Sequence, residues 1–154
     1  MTTLNWALVN SGLGTFAVGG TDDSLVEVRF PDQLPERLDH SPLSALVSQA
    51  ARELEEFLSG ARQSFDLPLR LEGTIFQNAV WGAIEHIPYG TVATYGEVAK
   101  MINKPSSARA VGRACGANPL PLLRPCHRVV AAQGLGGFGG GAQLKTALLA
   151  LEAG

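Results

Sequence analysis

The sequence predicts an α+β protein, with a small N-terminal β-sheet and helix lobe packed on a mostly helical C-terminal lobe that contains a helix-turn-helix. Three observations support this class. Short apolar runs separated by turn residues open the chain, an amphipathic helical pattern follows, and short capped helices replace strands from Gly73 onward. We place the domain boundary between residues 1–72 and residues 73–154.

The N-terminal lobe is expected to be a β-meander followed by one helix and an edge strand. Apolar runs predict three short strands, at about residues 4–9, 15–19 and 25–30. Ser41-Pro42 provides a favourable helix start, and apolar residues at three- and four-residue intervals continue to Gly60. Alternating apolar residues over 65–71, with Pro68 on the other face, predict a strand near the sheet edge.

The C-terminal lobe is expected to consist of short helices. Thr74 with Gln77, and Thr94 with Glu97, match the capping box that satisfies free amide groups at a helix start. The predicted helices lie at about residues 75–86, 95–102 and 107–116, with a last one after the glycine-rich segment. The turn at 103–106 joins the second and third of these helices as in a helix-turn-helix.

Composition favours a cytoplasmic protein. No apolar run approaches the ~20 residues that a membrane span requires, and the N-terminus lacks the charged-then-apolar order of a secretory signal. The two cysteines, Cys115 and Cys126, are too few and too close for a disulfide framework, so free thiols are expected. Cys115 falls on the inward side of its helix, which favours core packing.

Charge is distributed unevenly along the chain. Residues 1–86 carry a net charge of −7, residues 87–130 carry +5, and residues 131–154 are balanced. A local basic segment in an acidic protein is what an anionic partner such as nucleic acid requires, although an ordinary solvated face fits the charge equally well. Within this segment Arg109 and Arg113 lie one helical turn apart, next to small residues that would let another molecule approach closely.

Cys126 is the candidate reactive residue. Three prolines in 119–125 exclude helix and predict an extended path into the cysteine. Arg124, His127 and Arg128 surround the thiol, an electropositive setting that lowers a thiol pKa. Neighbours in an extended segment point to opposite faces, so His127 is expected to reach the sulfur through a turn or a water. A buried, inert thiol beside a surface histidine is the alternative.

Cofactor and metal sites are poorly supported. The spacing of Gly134, Gly136 and Gly139 superficially matches a dinucleotide-binding loop, but no second βαβ strand or acidic ribose partner follows. A loop that closes over a ligand is the better interpretation. The three histidines are scattered, and no cysteine pair has ligand spacing. We therefore expect no cofactor and no metal.

Several motifs of the second half, in order from about Gly73 to Gly154, resemble one known family. They are Asn-Pro at 118–119 followed by Pro-Cys-His-Arg-Val at 125–129, Ile-Pro-Tyr-Gly at 87–90 leading to Thr-Tyr-Gly-Glu-Val-Ala at 94–99, and Ala-Arg-Ala-Val-Gly at 108–112. The chain resembles the O6-alkylguanine-DNA alkyltransferases. That resemblance implies repair of O6-methylguanine in duplex DNA by irreversible, single-turnover transfer of the alkyl group to a cysteine.

The resemblance also implies roles for individual residues. Cys126 would be the nucleophile, and His127, oriented by Glu152, would take the thiol proton through a water. Without the resemblance, Glu152 would be assigned as a solvated acid at a helix end. Asn118 would hold the turn before the active-site segment, and Tyr95 would act near the guanine oxygen and a phosphate.

The implied partner is double-stranded DNA that contains alkylated guanine, bound by a monomer without an obligate protein partner or a membrane. Arg109 would fill the space that a flipped base leaves, with its helix in the minor groove. The implied DNA contacts are Thr94, Tyr95, Arg109, Ala110, Gly112 and Arg113. The implied alkylguanine pocket comprises Pro121, Val129, Phe138 and Gly139. Phe138 stands where the family commonly has tyrosine, so ring stacking is kept and a phenolic hydrogen bond is lost.

Three other functions remain open from the residues. A non-catalytic protein of the same fold could bind alkylated DNA, but the related binding proteins lack the cysteine found at Cys126. A plain helix-turn-helix transcription module and a hydrolase that uses Cys126 with His127 are the other two.

Overall fold

The computed structural model describes residues 4–38 and 42–154, and it confirms the α+β class. The chain divides into two compact units, Met1–Arg70 and Leu71–Gly154. The first unit contains a three-stranded antiparallel sheet and one helix, whereas the second is mostly helical.

The first unit is a β-meander covered by an amphipathic helix, as predicted. Strands β1 (Asn5–Ser11), β2 (Gly14–Gly20) and β3 (Leu25–Arg29) pair in chain order, and helix α1 spans Ala45–Leu58. Alternate residues of β1, the whole second part of β2 and one face of α1 are buried, because their apolar side chains form the core of this unit. The largest buried side chains here are Val9, Phe16, Val18, Leu25, Leu54 and Phe57.

Helix α1 begins later than the predicted start at Ser41-Pro42. Its N-cap is Ser44, whose hydroxyl oxygen accepts a hydrogen bond from the Val47 N–H at 3.0 Å. The Ser44 N–H in turn donates to the Asn5 side-chain oxygen at 2.6 Å, which ties the cap to β1. Ser41 lies outside the described residues, and Pro42 precedes the helix. A serine hydroxyl at the N-cap satisfies one of the free amide groups at a helix start, which fixes the beginning of α1 at Ser44.

The predicted edge strand over 65–71 is reduced to a single parallel bridge. Leu25 in β3 pairs with Leu69, through N–H donation from Leu25 to the Pro68 carbonyl and from Arg70 to the Leu25 carbonyl, each at 2.8 Å. Pro68 has no N–H with which to extend a ladder, so the pairing stops there. The alternating apolar pattern indicated contact with the sheet edge but not a regular strand.

The second unit contains four helices and two very short strands. These are α2 (Ile75–Ile84), β4 (Ala93–Thr94), α3 (Tyr95–Met101), α4 (Ala108–Gly116), β5 (Val129–Val130) and α5 (Ala142–Ala153). Both predicted capping boxes are present, at Thr74 with Gln77 and at Thr94 with Glu97. Strands β4 and β5 pair in parallel, which places the start of α3 beside the segment that follows Cys126.

Helices α3 and α4 form the predicted helix-turn-helix. Asn103 adopts a positive φ of 61° in the turn between them, and the Lys104 N–H donates to the Ala99 carbonyl at 2.9 Å. Asparagine tolerates this left-handed conformation better than most residues, which explains the tight turn. Val111 and Ala114 bury one face of α4, and the opposite face remains exposed.

Within residues 4–38 and 42–154, none of the helices has the length and apolar character needed to cross a membrane.

Candidate functional site

The segment that leads into Cys126 is a set of turns, not the extended path that its prolines predicted. Leu122 has a positive φ of 73°, and the Arg124 N–H donates back to the Leu120 carbonyl at 2.9 Å. Cys126–Arg128 then form one 3-10 turn. Proline restricts φ but leaves ψ open, so the same residues suit a turn as well as an extended chain. Side chains of Cys126 and His127 are therefore about a third of a turn apart and do not point to opposite faces.

Asn118 holds this set of turns together by two hydrogen bonds. Its amide Nδ2 donates to the Arg124 carbonyl at 3.0 Å, and its Oδ1 accepts from the Leu120 N–H at 3.0 Å. Burial raises the pKa of the Cys126 thiol, and the Asn118 side chain opposes part of this increase. One side chain thus connects the end of α4 to the backbone before the candidate nucleophile and influences the ionisation of its sulfur.

His127 and Glu152 form a buried pair. Nε2 of His127 lies 2.5 Å from Oε2 of Glu152, and neither side chain is more than about 1% exposed. Arg128 donates to the same carboxylate from Nε at 2.8 Å and from Nη2 at 3.1 Å, and the Gly90 N–H donates to it at 3.0 Å. Glu152 is therefore the centre of a buried network and not a solvated acid at a helix end.

The network sets the ionisation of its members. Burial alone would raise the pKa of Glu152, but hydrogen bonds from His127, Arg128 and the Gly90 N–H outweigh burial and lower this pKa to about 2. Burial lowers the pKa of His127, against the opposing effect of Glu152. The carboxylate is therefore ionised and accepts the Nε2 hydrogen of a neutral imidazole, which leaves Nδ1 as the basic nitrogen.

The predicted electropositive setting of Cys126 is wrong in its details. Burial raises the pKa of the Cys126 thiol, and the arginines near it in sequence are engaged elsewhere. Arg128 pairs with Glu152, and the Arg124 guanidinium lies 5.0 Å from the centre of the Trp81 ring. The two neighbouring arginines therefore do not activate this thiol, because one lies over the Trp81 ring and the other pairs with Glu152.

Lys145 is a buried residue that the sequence analysis did not identify. It lies on α5 with no exposed surface, and its Nζ donates to the Val129 carbonyl at 2.6 Å and to the Gly137 carbonyl at 3.1 Å. Burial raises the pKa of Cys126, and the charge of Lys145 opposes part of this increase. A lysine on the apolar side of α5, in register with Leu148 and Glu152, was the available signal.

A cavity of about 140 Å³ opens next to Cys126. Helix α4 contributes Gly112, Cys115 and Gly116, the glycine-rich loop contributes residues 137–139, and Tyr95 completes the lining. Phe138 and Gly139, which the resemblance places in the alkylguanine pocket, line this cavity. Pro121 and Val129 are buried outside this lining, and Val129 belongs to the core.

Cys115 packs against the hydrophobic core of the second unit, as its position on the helix predicted. It is only partly buried and lines the same cavity as Cys126. Burial and the proximity of Cys126 raise the pKa of Cys115 to about 12, so this thiol stays protonated at neutral pH. The helical pattern placed Cys115 on the same side of its helix as Val111. It could not show that a cavity opens beside the Cys115 side chain.

Tyr95 closes one side of the cavity and supports the glycine-rich loop. Burial raises the pKa of Tyr95, and the nearby Gly137 backbone opposes part of this increase. Gly136 has a φ of 78°, and a Cβ there would lie 2.6 Å from the tyrosine oxygen. Glycine is therefore required where the loop passes over this side chain.

The predicted DNA-contacting residues lie on α4 and at the start of α3. Arg109 and Arg113 are exposed, and Ala110 and Gly112 are partly exposed. The Thr94 hydroxyl oxygen caps α3 by accepting from the Glu97 N–H at 3.0 Å. Because α4 also supplies two glycines to the cavity, the opening beside Cys126 adjoins the arginine-bearing helix.

The basic segment at residues 87–130 is only partly a surface feature. Arg124 and Arg128 are buried, so the exposed cations are Lys100, Lys104, Arg109 and Arg113. These four lie on or next to the helix-turn-helix. In the described part of the chain, no three His, Cys, Asp or Glu side chains cluster as a metal site.

Comparison with known families covers both units. Residues 75–154 match the DNA binding domain of 6-O-methylguanine DNA methyltransferase, and residues 4–71 match its ribonuclease-like domain. This chain belongs to the 6-O-methylguanine DNA methyltransferase family.

Individual relatives are similar to this protein over nearly the whole length of the chain. The methylated-DNA–protein-cysteine methyltransferase of Mycolicibacterium paratuberculosis is 40% identical over 152 residues, which cover 97% of this chain and 92% of the relative. The inducible Bacillus subtilis protein of that name is 40% identical over 97% of this chain and 90% of its own. A crystal structure of Mycobacterium tuberculosis O6-methylguanine methyltransferase superposes with a TM-score of 0.84 at 38% identity, covering 98% of this chain and 93% of that one. A structure of Mycobacterium tuberculosis OGT in complex with DNA has the same TM-score and identity, covering 97% and 92%.

Proposed function

We propose that this protein repairs O6-alkylguanine in duplex DNA by moving the alkyl group onto Cys126, once per molecule. The observation that carries the proposal is a cysteine in a small cavity, between a hydrogen-bonded His127–Glu152 pair and the arginine-bearing helix α4. Its relatives bear the name methylated-DNA–protein-cysteine methyltransferase, and one similar structure was solved with DNA.

The chemistry requires a thiolate, a base and a leaving group. The Cys126 thiol loses its proton through a water to Nδ1 of His127, and the resulting imidazolium is stabilised by the Glu152 carboxylate. The thiolate attacks the alkyl carbon, so an S–C bond forms while the C–O6 bond breaks and its electron pair stays on the guanine oxygen. The guanine takes up one proton, which balances the one lost by the thiol. A thioether is a stable product, so the protein acts once.

The alkylated base must leave the helix stack to reach Cys126. The cavity wall formed by Gly112, Gly116 and the glycine-rich loop leaves room for a planar base beside Phe138. Arg109 is exposed on α4 and can fill the space that the base vacates. Small residues around it suit a close approach to the minor groove, and Arg113 is available for a phosphate.

The central experiment measures covalent transfer. The monomeric protein is incubated with a duplex that contains one O6-methylguanine. The buffer contains a chelator and no cofactor. Peptide mass spectrometry should locate one added methyl group on Cys126 and none on Cys115, with one guanine restored per protein. Cys126→Ser should bind the duplex and remain unmodified. A protein that binds the lesion while Cys126 stays unmodified would be a non-catalytic lesion binder, and normal repair by Cys126→Ser would refute the mechanism.

A second experiment separates base extrusion from chemistry. Arg109→Ala should slow transfer from duplex DNA by about tenfold or more, since the space left by the flipped base would stay unfilled and unstacking a base costs about a few kcal/mol. Transfer from free O6-benzylguanine, which needs no extrusion, should stay at the wild-type rate. Arg52→Ala removes an exposed positive charge from α1 and is the matched control. Equal losses with both substrates would contradict the role of Arg109.

A further inference from the structure

The second cysteine of the chain has no part in the proposed alkyl transfer, although it opens into the same cavity. Cys115 and Cys126 both line this space of about 140 Å³. They are the two cysteines of the sequence, and both are free thiols. Cys115 is therefore the thiol that shares a cavity with the candidate nucleophile.

Hydrogen bonds through Asn118 connect the backbones of the two cysteines. The Asn118 N–H donates to the Cys115 carbonyl at 3.3 Å, and its side-chain Nδ2 donates to the Arg124 carbonyl at 3.0 Å. The Cys126 N–H donates to the same Arg124 carbonyl at 2.7 Å. Three prolines in the segment between the cysteines restrict the backbone further. A short and stiff loop thus holds both thiols at one cavity.

The two thiols differ in how easily they ionise. Burial and the proximity of Cys126 raise the pKa of Cys115 to about 12. Burial also raises the pKa of Cys126, but Asn118 opposes part of this increase, and His127 takes the Cys126 proton in the proposed reaction. The thiolate is the form of cysteine that reacts with an oxidant. Cys126 is therefore the sulfur that reacts first, and Cys115 stays a neutral thiol beside it.

We propose that Cys115 is a modification site, which captures Cys126 as an internal disulfide after a hydroperoxide has oxidised the nucleophile. The bond follows from the shared cavity, whereas its effect on repair rests on the proposed function. A sulfenic acid that meets no thiol is oxidised further to sulfinic acid, which a dithiol does not reverse. Because the protein acts once, capture by Cys115 keeps unused molecules in a form that a dithiol restores.

Each step balances in atoms and electrons. The Cys126 thiolate attacks one oxygen of the peroxide, so an S–O bond forms, the O–O bond breaks, and the leaving hydroxide takes up the thiol proton as water. The Cys115 sulfur then attacks the Cys126 sulfur. An S–S bond forms, the S–O bond breaks, and the second hydroxide leaves as water with the Cys115 proton. Two thiols are oxidised, and one hydrogen peroxide is reduced to two waters.

The test treats the full chain with hydrogen peroxide, without DNA, and then denatures it with a maleimide that blocks free thiols. Trypsin rarely cleaves an Arg-Pro bond such as 124–125, so both cysteines fall in one peptide, residues 114–128. An internal disulfide appears as this peptide with two hydrogens fewer and no maleimide. A bond between two molecules appears as two linked peptides. Cys115→Ser, which keeps the side-chain size, is the matched variant, and Cys115→Ala replaces it if it fails to fold.

We expect the internal disulfide in most of the wild-type protein, and dithiothreitol should restore both thiols. Transfer from an O6-methylguanine duplex should be lost on oxidation and should return with dithiothreitol, each protein being compared with its own untreated activity. Cys115→Ser should instead accumulate sulfinic acid at Cys126 and recover no activity, because no second thiol intercepts the sulfenic acid.

Three outcomes would overturn the proposal: a wild-type peptide that keeps two blocked thiols, bonds between molecules alone, or equal recovery in wild type and Cys115→Ser. The mass of the peptide reports the bond without any alkyl transfer. An internal disulfide in a protein that transfers no alkyl group would therefore contradict the repair assignment and leave the modification site in place.

Discussion

Replacing Glu152 by glutamine tests the buried network most directly. The change keeps size and shape but removes the negative charge that accepts hydrogen bonds from His127, Arg128 and the Gly90 N–H. The Arg128 guanidinium would stay buried without a counter-ion. We therefore expect both a loss of stability and a slower alkyl transfer.

The size of the stability loss follows from two independent arguments. Removing one partner of a buried ion pair typically costs about 3–5 kcal/mol, because the remaining charge is uncompensated. The pKa of Glu152, about 2 in the folded protein against the ordinary 4.5, corresponds to about 3 kcal/mol of stability at neutral pH. The two values agree, so we expect Glu152→Gln to lower the free energy of unfolding at pH 7 by about 3–5 kcal/mol.

The pH dependence has a defined sign. A carboxyl group whose pKa is lower in the folded state stabilises the protein above its unfolded pKa, and this stability is lost as the pH falls from about 4.5 towards about 2. Wild type should lose this contribution on acidification, and Glu152→Gln has none to lose. The difference between them should therefore shrink by about 2 kcal/mol between pH 7 and pH 3.

The assay is urea unfolding followed by tryptophan fluorescence. A Trp6→Phe background leaves Trp81, in the second unit, as the reporter. Glu55→Gln, on the exposed side of α1, is the control and should change stability by less than about 0.5 kcal/mol. A free energy of unfolding for Glu152→Gln within 1 kcal/mol of wild type at pH 7, or a difference that does not shrink in acid, would refute this reasoning.

Three further substitutions, the first with a matched control, test local features by urea unfolding. Gly136→Ala forces a Cβ to 2.6 Å from the Tyr95 oxygen at a positive φ and should cost about 1–3 kcal/mol, whereas Gly134→Ala, which meets nothing within 4 Å, should be tolerated. Trp81→Phe removes the 2.8 Å hydrogen bond to the Ala114 carbonyl and should cost about 1–3 kcal/mol, read here by circular dichroism. Ser44→Ala removes the α1 cap and should cost about 1 kcal/mol. Equal losses at both glycines, or no loss at Trp81 or Ser44, would contradict these contacts.

Most of the fold could be predicted because its signals are local. The capping boxes at Thr74 and Thr94, the apolar spacing of α1 and the turn that contains Asn103 act over a few residues, and the structure contains each of them. The errors arose where a local pattern suited two conformations. The prolines before Cys126 allow a turn as well as an extended chain, and the alternation around Pro68 allowed a bridge in place of a strand.

The site was less predictable, because its electrostatics depend on contacts between distant parts of the chain. A motif pointed to Cys126, and the family resemblance supplied roles for His127 and Glu152. No spacing rule indicated that Arg128 pairs with Glu152 or that Lys145 reaches the Val129 carbonyl. Those partners are 24 and 16 residues apart, so only the packing of α5 brings them together.

By itself the sequence determined the α+β class, the helix-turn-helix and the identity of the candidate nucleophile, since periodicity, caps and short motifs act over a few residues. Tertiary structure alone decided which charges are buried, which partners neutralise them and which residues line the cavity. The physical reason is that the ionisation of a thiol or carboxyl depends on burial and on charges within a few ångströms, and neighbours in space are set by packing. Local sequence motifs therefore identify the candidate cysteine, and the fold determines how readily its thiol ionises.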